Sequence, residues 1–214
     1  MNSNYWLLLI GIIVVSKAYE LCVIKNKKKR KLLVLDLNGL LIDRTFVKEY
    51  KKQDNTATPT KIGAFFVWKR PHLDTFIDYI LQNFNVSVWS SAKINNVQNL
   101  VDFIFEDRQK ELIFMWDQSK CIAEHRDDTH PLFLKPIDKI LEVFPEYKDR
   151  ILFIDDSPEK LKKNGNYTYV SFTMWDMTKQ DDDMLSPNGA LITYLKKLND
   201  SSSSIQYHVE NNPF

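Results

Sequence analysis

The sequence predicts an α/β fold in which a central parallel sheet is flanked by helices. Short apolar or β-branched segments alternate with longer segments of helical period from Leu32 onward, and this alternation is typical of parallel strands joined by crossover helices. The chain has 214 residues, of which 44% are hydrophobic and 27% are charged, and such a chain can bury the core of one ordinary domain. The composition therefore excludes a wholly disordered protein.

The first strand is predicted at 32–36, where LLVLD forms a short apolar run that ends in an acidic residue. Residues 43–69 are largely polar and include Thr-Pro-Thr and one glycine before AFFVW, which predicts a small inserted hairpin or loop rather than a crossover helix. A helix is predicted from Pro71, because six apolar side chains recur there at helical spacing. These are Leu73, Phe76, Ile77, Ile80, Leu81 and Phe84.

The rest of the chain repeats the alternation of strand and helix. The predicted strands are 86–89, 111–115, 151–155 and 167–172, and the predicted helices are 97–105, 137–144 and 190–198. Their aliphatic and aromatic stripes are expected to form the core of the domain.

The two ends of the chain are predicted to lie outside this domain, which we place at residues 31–199. Residues 1–30 contain the apolar run YWLLLIGIIVV, which is shorter than the roughly 20 residues of a membrane-spanning helix. The segment 5–24 has several interpretations: association with a membrane surface, a signal peptide, a buried amphiphilic helix or an unstructured extension. Residues 200–214 contain SSSS and NNP, which predicts a disordered tail.

Charge and cysteine usage limit the classes of partner. Lys and Arg total 29 against 28 Asp and Glu, a net charge of +1, so no specific nucleic-acid binding is expected. The basic run at 25–31 has two interpretations. It is either a solvated segment that precedes the first strand, or a segment that binds a nuclear import receptor or an anionic surface. Cys22 and Cys121 lie far apart, which excludes a disulfide framework. A reducing compartment, cytoplasm or nucleus, is expected, with membrane association as the alternative.

Several side chains of the types that bind metal ions lie close together in the sequence just before Lys135. Its members are Cys121, His125, Asp127, Asp128 and His130. A cysteine and a histidine four residues apart on a helix can share a metal ion. We interpret the segment as a polar loop, because no second spaced pair completes a tetrahedral site.

Four polar groups end or follow apolar segments of the predicted sheet. They are Asp36 with Asn38, Ser90 with Ser91, Lys135, and Asp155 with Asp156. In open α/β sheets the ligand binds beyond the carboxyl ends of the strands. Each group alone is consistent with a helix cap or a turn. Together the carboxylates, the ammonium and the hydroxyl predict a site that handles a phosphate with Mg²⁺.

The segments that carry these groups resemble one known family. LLVLDLNGLL, VWKRPHLDTFIDYI, VSVWSSA, LFLKPID and ILFIDDSP occur in the order and approximate spacing of the motifs of the haloacid dehalogenase superfamily. KRPHLDTFI is particularly similar to the branch of RNA polymerase II C-terminal-domain phosphatases, which shares the FCP1 homology domain. The resemblance runs from about Lys31 to about Leu198. It implies a Rossmann-like fold and a Mg²⁺-dependent phosphatase of the protein Ser/Thr type.

The resemblance implies roles for the residues that handle phosphate. Asp36 matches the nucleophile, which attacks phosphorus and forms an aspartyl-phosphate. Lys135 matches the lysine that steadies the nucleophile and the phosphate. Ser90, with Ser91 beside it, matches the serine or threonine that binds the phosphoryl group.

The resemblance also implies a set of ligands for Mg²⁺. Asp155 and Asp156 match the acidic pair of the family, in which the first aspartate binds the metal directly and the second directly or through water. Asp36 and the backbone carbonyl of Asn38 complete the implied set.

One position departs from the family pattern. The phosphatases carry D-x-D-x-T or D-x-D-x-V, whereas this chain has Asn38 in place of the second aspartate. That aspartate protonates the leaving oxygen and then activates the hydrolytic water, and an amide cannot exchange a proton in this way. The loss of a general acid and base is expected to slow hydrolysis about 10²- to 10⁴-fold.

Two functions therefore compete. The first is a Mg²⁺-dependent phosphatase acting through Asp36 on a phosphoprotein or another phosphorylated substrate, weakened by Asn38. The second is a catalytically inactive binding or scaffold protein, either a pseudophosphatase or a protein similar to the mitochondrial inner-membrane translocase subunit that carries this domain. A different chemistry of the superfamily is a minor third alternative. The insertion at 50–61 is polar and basic where the named branch forms an apolar peptide pocket, so specificity for the polymerase tail is not expected.

Overall fold

The computed structural model of the chain describes residues 30–51, 57–125 and 131–214. The described strands, in chain order, are β1 Leu32–Leu35, β2 Ile42–Phe46, β3 Thr60–Ile62, β4 Phe65–Lys69, β5 Asn85–Trp89, β6 Met115–Trp116, β7 Ile122–Glu124, β8 Leu132–Leu134, β9 Ile151–Ile154 and β10 Tyr169–Val170. The described α-helices are α1 Leu73–Asn83, α2 Ile94–Phe105, α3 Ile137–Val143, α4 Ala190–Asp200 and α5 Ile205–Asn211.

The central sheet has five parallel strands in the order β10, β9, β1, β5 and β6. β1 is the middle strand, since Leu35 pairs with Val88 of β5 on one side and with Ile154 of β9 on the other. Because all five strands run in one direction, the residues that follow them emerge at one edge of the sheet. The predicted α/β class with a central parallel sheet is confirmed.

Helices cover both faces of this sheet. Side chains along a strand alternate between its faces. Leu33 and Leu35 pack into one apolar cluster with residues of α1, α2 and α4, and Leu32 and Val34 pack into a second cluster with Ile140 of α3. Burial on both faces explains why β1 is continuously apolar rather than alternating.

The predicted apolar stripes of α1 and α2 face the core. The buried residues are Leu73, Phe76, Ile77, Ile80 and Leu81 in α1, and Val97, Leu100, Val101, Ile104 and Phe105 in α2. The strand predicted at 111–115 has the wrong bounds, because Glu106–Glu111 forms a 3₁₀-helix and β6 begins only at Met115. The polar sequence EDRQKE lacks the alternation of a strand and prolongs the end of α2 instead.

The segment between β1 and α1 forms a small antiparallel sheet in the order β2, β4, β3. The hairpin predicted from its polar sequence is therefore confirmed. β3 and β4 are joined by a tight turn in which Gly63 has a φ of +56°, a conformation that favours glycine.

A second hairpin lies where the sequence predicts a polar loop. Ile122–Glu124 pairs with Leu132–Leu134 in an antiparallel hairpin, and Cys121 and His125 flank its first strand. Strands of three residues are too short to show a periodicity, so β7 is not predicted from the sequence, although Cys121 and His125 themselves lie outside both strands. Asp127, Asp128 and His130 lie outside the described residues.

The C-terminal segment is helical where the sequence predicts a disordered tail over 200–214. α5 buries Ile205, His208 and Val209, and the ring of Phe214 lies 5.3 Å from that of Tyr194 on α4. The three buried residues have the spacing i, i+3, i+4 of a helix that packs on a core. Because polar residues lie on both sides, SSSS before and NNP after, so short an apolar stripe does not predict a helix from the sequence.

The predictions for the N-terminal segment concern residues that are not described. The apolar run, its predicted membrane association through residues 5–24 and four of the six basic residues of the run at 25–31 lie in residues 1–29. Within residues 30–51, 57–125 and 131–214, no helix combines the length and the apolar character needed to cross a membrane.

Candidate active site

Two carboxylates stand at the ends of neighbouring strands of the sheet. Asp36 follows β1, and its backbone N–H donates to the Ile154 carbonyl at 3.0 Å. Asp155 follows β9, and its N–H donates to the Val170 carbonyl at 3.3 Å. Both side chains are nearly inaccessible, with exposed fractions of 4% and 1%. The ladder of the sheet thus fixes two buried carboxylates side by side.

Lys135 lies between these carboxylates. Its Nζ is 3.2 Å from Asp36 Oδ1 and 2.5 Å from Asp155 Oδ2. The Lys135 backbone is held as well, because its carbonyl accepts a hydrogen bond from Asn164 Nδ2 at 3.0 Å. The same Asn164 accepts from the Ile137 N–H through Oδ1 at 2.7 Å. Asn164, which is not among the residues predicted from the sequence, therefore positions the start of α3 and the lysine that precedes it.

A second lysine, which is likewise not among the predicted residues, contacts the same two carboxylates. Lys160 lies in the 3₁₀-helix Pro158–Leu161, and its Nζ is 3.3 Å from Asp36 Oδ2 and 3.7 Å from Asp155 Oδ1. Its carbonyl accepts the Lys135 N–H at 2.9 Å. The one feature of the sequence that could indicate Lys160 is its position five residues after Asp155, where one turn of the chain returns it to the strand end. The KLKK sequence gives the opposite indication, because runs of lysine are usually solvated.

Asp156 completes the acidic group. Asp36, Asp155 and Asp156 each place one carboxylate oxygen within 4.8 Å of the others. Hard oxygen ligands are those that Mg²⁺ prefers, so these residues fit the metal implied by the family resemblance. In the described parts of the chain, this is the sole group of three or more potential metal ligands of the Asp, Glu, His and Cys types.

The charges at this site shift the pKa of each buried group. Burial alone would raise the pKa of Asp36, but the Lys135 and Lys160 ammoniums outweigh it and hold the pKa below its ordinary value. Burial, together with the charge of Asp36, raises the pKa of Asp155 to about 6 despite both lysines. Burial would lower the pKa of Lys135, but Asp155 and Asp36 raise it above its ordinary value. Of the buried pair Asp36 and Asp155, Asp36 is therefore the carboxylate more firmly kept ionised.

Asn38 lies two residues beyond Asp36 in a tight turn. Within that turn the Gly39 N–H donates to the Ile42 carbonyl at 2.7 Å, and the Leu41 N–H donates to the Leu37 carbonyl at 2.9 Å. Among the described residues, Asn38 Oδ1 is buried without a hydrogen-bond partner. A buried acceptor of this kind is available to a ligand that donates a hydrogen bond.

The predicted serines lie one strand away from the acidic group. Ser90 and Ser91 follow β5, which pairs with β1 in parallel. Ser90 is buried, and its Oγ accepts a hydrogen bond from the Ala92 N–H at 3.3 Å. A hydroxyl that accepts in this way still has its hydrogen for donation. The structure thus joins Asp36, Lys135 and Asp155 by direct contacts and places the serines at the same edge of the sheet.

Arg70, the arginine of the KRPH segment, fixes the turn that follows Asp36. Its guanidinium donates to both carboxylate oxygens of Asp182 at 2.7 Å, and its Nη1 donates to the Leu40 carbonyl at 3.1 Å. Arg70 is only 3% exposed, so removing Asp182 would leave a buried charge unpaired. This part of the family motif therefore supports the site rather than lining it.

Arg44 adds a third cationic side chain near Asp36. It lies on β2, and its guanidinium carbon is 4.7 Å from the centroid of the Phe65 ring. Burial lowers the pKa of Arg44, and the charge of Asp36 opposes this shift. Arg44 Nη1 is buried without a hydrogen-bond partner among the described residues. Arg44 thus adds a positive charge that interacts with the charge of Asp36.

Sequence comparison identifies the family of the chain. A sequence model described as NLI interacting factor-like phosphatase matches residues 31–206. An uncharacterized FCP1 homology domain-containing protein of Schizosaccharomyces pombe is 28% identical over 201 residues, covering 86% of this chain and 78% of that protein. A protein of Invertebrate iridescent virus 3, named as CTD phosphatase-like protein 355R, is 27% identical over 193 residues, covering 79% of this chain and 99% of that protein.

Solved structures show the same fold. The structure of Fcp1, an essential RNA polymerase II CTD phosphatase, has a TM-score of 0.52 at 13% identity, over 91% of this chain and 55% of that chain. Fission yeast Fcp1 bound to beryllium fluoride has a TM-score of 0.52 at 15% identity, over 84% of this chain and 52% of that chain. This chain thus spans about half the length of the Fcp1 chains it matches. By its motifs, its sheet and the match over residues 31–206, the chain belongs to the NLI interacting factor-like phosphatase family within the haloacid dehalogenase superfamily.

Proposed function

We propose that this chain is a Mg²⁺-dependent phosphatase that cleaves phosphate monoesters through an aspartyl-phosphate on Asp36. The observation that carries the proposal is the Asp36 carboxylate itself, buried at a strand end in contact with the Lys135 and Lys160 ammoniums. A nucleophilic carboxylate must be ionised, and the low pKa of Asp36 provides that form. The two ammoniums also offset the repulsion between this carboxylate and an incoming phosphate.

The proposed reaction forms one bond and breaks another at phosphorus. An Asp36 oxygen attacks phosphorus, and the bond between phosphorus and the leaving oxygen breaks. Lys135 and the Ser90 hydroxyl stabilise the phosphoryl oxygens as charge develops on them. Asp36, Asp155 and Asp156 would hold Mg²⁺, which when bound would neutralise further charge on the phosphoryl group. Water then hydrolyses the aspartyl-phosphate and regenerates Asp36.

Asn38 limits both steps. The leaving oxygen departs without a proton from the protein, and the hydrolytic water is activated without a general base. Aryl phosphates need little help from an acid, because an aryloxide is a good leaving group. Phosphoserine and phosphothreonine have poor leaving groups, so their hydrolysis is expected to be slower by about 10²- to 10⁴-fold than in an enzyme with aspartate at this position.

The proposed substrate is a phosphoprotein or another anionic phosphate ester, of the protein Ser/Thr phosphatase type. Support comes from Arg44, a guanidinium near Asp36 with a buried Nη1 atom, and from the basic insertion that follows β2. Fcp1, whose solved structure has the same fold, is an RNA polymerase II CTD phosphatase. The cytoplasm or nucleus is the compartment we propose, from the cysteine usage.

A second candidate is a phosphate-binding protein without turnover. The observation that favours it is Asn38, whose amide occupies the position of the family acid. Such a protein would use the same cationic and hydroxyl groups to bind a phosphorylated partner and would leave the ester intact.

Hydrolysis of nitrophenyl phosphate by the full-length chain separates these candidates. We expect slow turnover that requires Mg²⁺, that is lost in Asp36→Asn and that is retained in the control Asp138→Asn, whose carboxylate is exposed on α3. Asn38→Asp should raise kcat on a phosphoserine peptide about 10²- to 10⁴-fold, whereas the exposed control Asn95→Asp should leave kcat unchanged.

Two other outcomes have clear meanings. Turnover absent in the wild type but present in Asn38→Asp identifies a binding protein one substitution away from catalysis. Turnover absent in both, with both proteins folded, contradicts the assignment of Asp36 as a nucleophile.

A further inference from the structure

The acidic pair at the strand ends has a second internal counter-ion. Lys135 contacts Oδ1 of Asp36 and Oδ2 of Asp155. Lys160 contacts the other oxygen of each, Oδ2 of Asp36 at 3.3 Å and Oδ1 of Asp155 at 3.7 Å. All four oxygens of the two carboxylates therefore face an ammonium. A divalent cation would bind oxygens of the same carboxylates and would have to compete with these ammoniums.

The two lysines differ in how firmly they are held. Lys135 has a side chain that is 1% exposed and a 2.5 Å contact with Asp155, and Asn164 fixes its backbone. Lys160 has a side chain that is 17% exposed, and both of its contacts are longer than 3 Å. Lys160 is thus the ammonium that can leave the carboxylates at the lower cost.

The Lys160 backbone stays at the site when its side chain moves. Its carbonyl accepts the Lys135 N–H at 2.9 Å, and its own N–H donates to the Ser157 carbonyl at 3.0 Å. A flexible four-carbon stem lets the ammonium reach a different anion from this fixed point. In a phosphatase the next anion to arrive is the phosphoryl group of the substrate.

We propose that Mg²⁺ displaces the Lys160 ammonium from Asp36 and Asp155, and that the displaced ammonium then binds the phosphoryl group. Lys160 is in this way both a competitor of the metal and a second phosphate-binding lysine. The second half rests on the proposed function, since it requires a phosphate ligand at Asp36. The first half concerns metal binding alone and holds equally for a protein without turnover.

Calorimetric titration of the full-length chain with Mg²⁺ tests the first half. Lys160→Met removes the charge and keeps the length of the side chain, so the dissociation constant for Mg²⁺ should fall by at least about tenfold, or about 1.4 kcal/mol, because close charges at a partly buried site repel strongly. The control is Lys162→Met, whose ammonium pairs with Glu124 outside the site and should leave the constant unchanged. Lys160→Arg keeps a positive charge and should remain close to the wild type.

Titration with inorganic phosphate at saturating Mg²⁺ tests the second half. Lys160→Met should bind phosphate about tenfold more weakly than the wild type, on the scale of one charge-assisted hydrogen bond. Tighter binding of Mg²⁺ together with weaker binding of phosphate is the result expected only for a lysine that moves from the carboxylates to the phosphate. Should Lys160→Met fail to fold, as judged by circular dichroism, Lys160→Gln provides the same two measurements.

The proposal is overturned if Mg²⁺ affinity is unchanged or weaker without the Lys160 charge, or if phosphate affinity does not fall. Neither result depends on turnover. Failure of the proposed function would appear instead as folded wild type and Asn38→Asp proteins that bind Mg²⁺ and phosphate but hydrolyse no aryl phosphate.

Discussion

Gly39 shows how closely the turn after β1 approaches the acidic group. Its φ is +78°, and a Cβ built on it would overlap the Asp156 carboxylate and lie 2.6 Å from Cγ of Met174. The backbone conformation and the lack of space both require glycine here. Asp156 can therefore lie against the turn that carries Asp36 and Asn38 only because residue 39 has no side chain.

Gly39→Ala should consequently damage both stability and metal binding. Gly63→Ala is a matched control, because Gly63 also has a positive φ, +56°, but has no atom within 4 Å of a built Cβ. The control should cost about 1 kcal/mol of backbone strain, and Gly39→Ala should cost about 1–3 kcal/mol more because it adds overpacking. Urea unfolding and Mg²⁺ titration of both variants measure this. Equal losses of stability, with Mg²⁺ affinity intact, would contradict the close approach of Asp156.

At the scale of elements, α5 closes the end of the domain. Ile205 is fully buried, its N–H donates to the Asp149 carbonyl at 3.3 Å, and the His208 ring lies 5.5 Å from that of Tyr194. Burial lowers the pKa of His208, and the Lys31 and Lys197 ammoniums lower it further. The helix is thus docked through a histidine that is kept neutral.

The docking of α5 should make stability depend on pH. An unfolded histidine has a pKa near 6.5, so below about pH 6.5 the unfolded chain binds a proton that the folded chain resists, and stability falls as the pH falls. Relative to His208→Gln, the wild type should lose free energy of unfolding as the pH falls below about 6.5. The control His125→Gln, at an exposed position, should keep the dependence of the wild type. Parallel curves for wild type and His208→Gln would show that α5 is not docked in this way.

At the scale of the whole molecule, the parallel register of the sheet assembles the site. Asp36 and Asp155 follow two strands that pair residue for residue, Leu35 with Ile154, so their side chains emerge together. Lys135 follows β8 of the separate hairpin, and its N–H reaches the Lys160 carbonyl at 2.9 Å. Residues distant in sequence therefore meet because the strand ends and one short turn share an edge.

The same geometry explains which parts could be predicted from sequence. Asp36, Lys135 and Asp155 were accessible because each directly follows an apolar segment, and strand ends of parallel sheets carry ligand sites. Lys160 could not be predicted, because a lysine in a polar turn is usually solvated and only the fold brings its ammonium to the carboxylates. Asn164 could not be predicted either, because it lies in a polar segment and only the fold brings its amide to the Lys135 backbone.

The errors in the fold have a related origin. The three-residue strand β7 and the short helix α5 each contain too few residues to show a period in the sequence. Their places are fixed by tertiary contacts, such as the burial of Ile205. Long elements with a complete apolar stripe, such as α1 and α2, were predicted correctly because their period alone determines a buried face.

Covalent labelling of Asp36 tests the central claim most directly. Asn38 should slow hydrolysis of an aspartyl-phosphate, because that step needs a general base, so the intermediate should accumulate when the wild type is quenched in acid during turnover of an aryl phosphate with Mg²⁺. Peptide mass spectrometry should then find one phosphoryl group on Asp36, absent in Asp36→Asn and less abundant in Asn38→Asp. Hydrolysis of the aryl phosphate with no phosphoryl group on Asp36 in the wild type or in Asn38→Asp would contradict the account.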